Sequence, residues 1–84
     1  MKIYALGTDY EKEEPTFTND KGKFWLVDRQ DPYWIFRCHL NNGDKSYVLA
    51  YKGEFIADNA SLEGIGAKID IHRICLSRMK SNQK

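Results

Sequence analysis

The chain changes hydrophobic period once along its length. From about residue 16 to 57, apolar residues come in short alternating runs separated by turn-forming residues, the signature of strands. Thr16-Phe17-Thr18 and Lys23 to Val27 flank Asn19-Asp20-Lys21-Gly22, which has hairpin-turn chemistry. Gln30-Asp31-Pro32 makes the next break, because proline fixes φ and cannot donate to a ladder. Tyr33 to Leu40 and Ser46 to Tyr51 then flank Asn42-Gly43, a pair that favours a two-residue type I′ turn. Such a turn would set Trp34 opposite Tyr51, Phe36 opposite Leu49 and Cys38 opposite Tyr47, six apolar or aromatic residues on one face. Lys52-Gly53 predicts another tight turn into Glu54 to Ala57. Residues 2–6 can add a short N-terminal strand, and residues 7–15 read as a loop.

After residue 60 the period becomes helical. Leu62, Ile65, Ile69, His72, Leu76 and Met79 recur at spacings of three and four. Ser61 or Asn59 can cap the start, Glu63 suits the first turn, and Arg78 and Lys80 suit the last. Gly64 and Gly66 weaken the helix, and Ile71 and Ile74 fall off its stripe. A bulged strand over Lys68 to Met79 is the rival reading, and the helix is preferred. The expected fold is α+β: an antiparallel meander of about four strands, with one C-terminal helix packed over the six-residue face. One domain spans residues 1–84, and the polar tail from Lys80 to Lys84 is expected to fray.

The other sheet face would carry Ile35, Arg37, His39, Val48, Ala50 and Phe55, with either Phe24 and Leu26 or Trp25 and Val27. It is too apolar to be left to solvent. Either residues 1–18 fold back over it or it binds a partner. In the second case the contacts are Trp25, Tyr33, Arg37 and His39, with Glu11, Glu13 and Glu14 from the acidic loop.

Composition narrows the function classes. The chain has 84 residues and 9.8 kDa, with 42% apolar and 30% charged residues. That describes one small folded unit and excludes a disordered coil or a disulfide scaffold. One such core leaves little room for a deep, water-excluding active site, so an enzyme is not expected. No apolar run is long enough to span a bilayer and no signal peptide is evident, which points to a cytoplasmic protein with reduced cysteines. The net charge of +1 hides an asymmetry. Residues 1–67 hold eight Lys and Arg against eleven Asp and Glu, or −3; residues 68–84 hold five against one, or +4.

Candidate chemistry changes this picture little. Cys38, His39, His72 and Cys75 form a zinc-like inventory, but neighbouring strand residues point to opposite faces, so Cys38 and His39 cannot share one ion. A Cys38–Cys75 disulfide is disfavoured in a reducing compartment, and a buried Cys38 is a poor nucleophile for His72. His72 reads as a core-edge histidine with one ring nitrogen on a backbone group. Gly64-Ile65-Gly66-Ala67-Lys68 lacks the spacing of a phosphate loop, and nothing places two carboxylates across a cleft. No catalytic residue, metal or cofactor is expected. The expected function is a non-enzymatic protein-interaction module, a small inhibitor or modulator of a larger cellular or viral machine. Homodimerisation through an edge strand is a further option. The alternative is a nucleic-acid binder using the sheet with Arg37, Lys68, Arg73, Arg78 and Lys80.

Overall fold

A computed structural model describes residues 2–81, with side chains to Met79. Five antiparallel strands form one sheet in the order β1-β2-β3-β4-β5: β1 (Phe17–Thr18), β2 (Gly22–Gln30), β3 (Tyr33–Leu40), β4 (Lys45–Tyr51) and β5 (Glu54–Asn59). One helix, α1 (Leu62–Ser81), follows. The α+β class and the helix stand as read from the sequence, with β1 as the fifth strand. Residues 2–6 form no strand; Tyr4 alone donates its N–H to the Leu26 carbonyl, at 2.8 Å. Residues 7–15 are a loop with one 3-10 turn, Tyr10–Lys12. The helix backbone reaches Ser81, so the expected frayed tail starts inside it; residues 82–84 lie outside the described residues.

The central hairpin corrects the expected register by one residue. Gly43 alone takes a left-handed φ of 95° in this turn. Its N–H donates to the Leu40 carbonyl at 3.0 Å, and the Leu40 N–H donates to the Asp44 carbonyl at 2.8 Å. The loop is therefore three residues, Asn41-Asn42-Gly43, the geometry of a type I turn closed by a left-handed glycine. Tyr33 consequently faces Tyr51, Ile35 faces Leu49, and Cys38 faces Ser46. The primed two-residue turn lies instead at Lys52-Gly53, where φ is 51° and 85°.

That shift divides both expected faces. Trp34, Phe36 and Cys38 share a side with Val48, Ala50, Phe24 and Leu26. Tyr33 and Ile35 share the other with Tyr47, Leu49, Tyr51, Trp25 and Val27. Irregularities at Val27 in β2 and Ile56 in β5 each insert one residue, and bulges increase local twist and bending. The sheet curls until its two edge strands meet. Phe17 on β1 stacks on Phe55 of β5 with ring centroids 5.8 Å apart, and Phe55 also lies 5.4 Å from Phe24. The concave side is thus bridged by side chains of its own edge strands, and no helix covers it.

The convex side has two covers. Leu62, Ile65 and Ile69 of α1 pack on the Tyr33, Ile35 and Leu49 end. The N-terminal arm covers the other end, with the Tyr10 ring 5.7 Å from the Trp25 ring and 6.0 Å from His39. Ser61 caps α1, its Oγ accepting the Gly64 N–H at 3.1 Å. Asn59 Oδ1 in turn accepts the Ser61 N–H at 3.0 Å. Gly64 allows this closeness, because a Cβ there would sit 2.2 Å from the Asn59 side chain.

Candidate interaction surfaces

The residues expected to contact a partner fall into three settings. Trp25 and Tyr33 are interior, 1% and 2% exposed. Their polar atoms are also engaged: Trp25 Nε1 donates to the Glu13 carbonyl at 3.2 Å, and the Tyr33 hydroxyl lies 2.7 Å from His72 Nδ1. His72 therefore uses a side-chain partner rather than the expected backbone group. Both residues are core, because the arm and the helix together occupy the face on which they were expected to be available.

Arg37, His39 and Glu11 do come together. They line a polar cavity of about 310 Å³ between the arm and β3–β4, with Thr8, Tyr10 and Lys45. The Arg37 guanidinium lies 4.9 Å over the Tyr47 ring, and its Nε is enclosed with no acceptor among the described residues. Glu11 pairs with Lys45 at 3.5 Å. Burial pushes the His39 imidazole below its ordinary 6.5; the Arg37, Lys45 and Lys23 charges add to this and Glu11 opposes it. The Tyr10 hydroxyl is pushed up, first by burial.

Glu13 and Glu14 work mainly as part of the strap. Their carbonyls accept from Trp25 and from the Tyr4 hydroxyl, and the Glu13 carboxylate lies 3.7 Å from Lys2. The acidic run thus stitches the arm to the sheet.

The His39 environment has a measurable consequence. A histidine held below its unfolded value binds fewer protons when folded, so stability rises with pH between the two values. The contribution is complete above the unfolded 6.5 and is lost as the pH falls towards the folded value. The melting temperature should therefore drop between about pH 7.5 and about pH 5.5, and His39→Gln should flatten that drop. An equal drop in both proteins would remove His39 as its source.

The geometry separates the cysteine and histidine weighed as a nucleophile pair. Cys38 lies on the concave side and His72 on the convex side, so they do not pair. Burial pushes the Cys38 thiol up, away from the reactive thiolate. Cys75 is exposed, and both cysteines are free. Among the described residues no group of three or more His, Cys, Asp and Glu could hold a metal ion. No helix among them is long and apolar enough to cross a membrane.

The basic residues are not gathered. Lys68, Arg73 and Arg78 follow each other at five-residue steps, about 140° around the helix, so they point three ways. Arg73 sits 5.3 Å from the centre of the Tyr33 ring, and Arg37 is under the arm. The Lys80 side chain lies outside the described residues.

Two apolar surfaces were missed. On the concave side, Phe17, Trp34, Phe36, Ala50 and Phe55 line an opening of about 400 Å³. On α1, Ala67, Ile71 and Ile74 repeat at spacings of four and three, on the side facing away from the sheet. Ile71 is 57% exposed and Ile74 51%, and Ala67 is exposed as well. The signal is present in the sequence, where these two isoleucines lie off the core stripe. They form a second stripe on the helix. Comparison with protein families, curated proteins and solved structures finds no match to this chain.

Proposed function

We propose that this chain is a non-enzymatic protein-interaction module that docks a helix on the outer stripe of α1. One observation carries this reading. The helix already satisfies the sheet with Leu62, Ile65 and Ile69, yet it holds Ile71 and Ile74 out to solvent on the opposite side. Exposing β-branched residues on a helix gains nothing for the isolated chain, since they are also modest helix formers. Apolar residues at such spacing are what a partner helix packs against. Acting by occupancy suits a chain of this size, as for a small inhibitor or modulator of a larger machine. Two unpaired cysteines, one buried and one exposed, support a reducing, cytoplasmic setting.

The test is the double substitution Ile71→Glu with Ile74→Glu. Both side chains are exposed, so the melting temperature should stay within a few degrees of wild type, as for surface changes of about 0.5 kcal/mol. Capture of partner from the source lysate by the tagged protein should be lost. Undiminished capture would overturn the proposal.

A further inference from the structure

We infer that the occupant of this stripe is a second copy of the chain, in an antiparallel, two-fold pair of α1 helices. The inference rests on the reading of the outer stripe as a docking surface and names its partner.

Charge placement carries it. At 100° per residue, Ala67, Ile71, Ile74 and Arg78 fall within an arc of about 60°. Glu63 and Asp70 border that arc, within about 40° of Ile74. The outer face is thus acidic towards its N-terminal end and basic at Arg78. All three charged residues are exposed, and among the described residues no ion pair within the chain engages them.

An antiparallel pair with Ile71 opposite the second copy's Ile74 places Arg78 opposite Ala67. Glu63 and Asp70 then lie one turn to either side of that small residue. Arg78 of each copy enters a gap left by Ala67, between two carboxylates, and the symmetry makes this cluster twice. A parallel pair would instead set Arg78 beside Arg78 and Glu63 beside Glu63, which like-charge repulsion opposes. This register is centred between His72 and Arg73, close to the middle of Leu62–Ser81, so the helices overlap along almost their full length. The stripe faces away from the sheet, so the two sheets lie on the outside of the pair.

A pair of this kind buries less than the roughly 1,200 Å² of standard interfaces, so its dissociation constant should be micromolar rather than nanomolar. Sedimentation of the full chain over a concentration series from about 1 to about 500 µM is the experiment. Wild type should pass from monomer to dimer. Arg78→Glu alone, and Glu63→Arg with Asp70→Arg alone, should each weaken self-association at least tenfold. Mixing these two variants should restore dimerisation, because each then meets its complement in both clusters. Circular dichroism of each variant checks that α1 is kept.

A wild type that stays monomeric throughout would overturn the inference. So would a dimer that survives Ile71→Glu with Ile74→Glu, since it would use another surface such as an edge strand. If wild type is monomeric but the isoleucine double variant still loses capture from lysate, self-pairing fails and the docking surface stands. If capture is also unchanged, both fail.

Discussion

Gly22→Ala is expected to destabilise the fold by about 3 kcal/mol, a large share of the stability of a domain this size. Gly22 starts β2 opposite Leu40. A Cβ at this position would sit 2.2 Å from the His39 carbonyl oxygen and 2.8 Å from the Leu40 Cα. Both are backbone atoms of β3, so no side chain can swing aside. Relief requires β2 and β3 to separate at this end. That would loosen the turn built on the Asn19 N–H to Gly22 carbonyl bond at 3.0 Å, and the Asn41 N–H to Lys21 carbonyl bond at 2.9 Å. Each net loss there is worth about 1 kcal/mol. Urea unfolding measures the effect, and a variant within about 0.5 kcal/mol of wild type would contradict the close packing at Gly22.

Trp25→Ala is expected to cost about 3–5 kcal/mol, as for other buried large aromatics. The indole sits under the arm, 4.7 Å from the His39 ring and 5.7 Å from Tyr10, and its N–H holds the Glu13 carbonyl. Truncation leaves a cavity and removes the surface on which the arm rests. The arm should then detach before the sheet melts. Hydrogen exchange at the Tyr4 amide, bonded to the Leu26 carbonyl, reports this detachment directly. Trp25→Phe keeps most of the apolar volume and should lose much less. A Trp25→Ala protein with wild-type stability and weakened partner binding would instead make Trp25 a contact residue, as the sequence pattern allows.

The two cases show where local pattern stops being informative. The Asn42-Gly43 turn was legible, but its length was not. A two-residue loop and a three-residue loop differ by one position in register, and normally the apolar face selects between them. Here it does not select. Trp34, Phe36 and Cys38 form one apolar side of β3 and Tyr33 and Ile35 the other, so both registers bury a plausible face. The candidate site suffered for the same reason. Trp25 and Tyr33 read as surface anchors only if their face lacks a cover, and cover is supplied by chain far away in sequence. Arg37, His39 and Glu11 read as separate contacts on the sheet face and the acidic loop, and the fold gathers them in one cavity under the arm. The outer helix stripe is visible in the sequence as Ile71 and Ile74, which lie off the core stripe.

The sequence by itself determined the approximate positions of the five strands and favoured the helix, while residues 2–6, which also read as a strand, form none. Turn residues bound the strands, the change of period starts the helix, and Asn59 or Ser61 offers its cap, because each depends on neighbours within a few residues. The tertiary structure decided which side of the sheet each element covers. The bulges at Val27 and Ile56 are associated with a curl that brings Phe17 onto Phe55, and this bridges the concave side without a helix. The helix and arm were then free to share the convex side. These are choices between two nearly equal apolar surfaces, settled by packing between distant residues, and no local period encodes them.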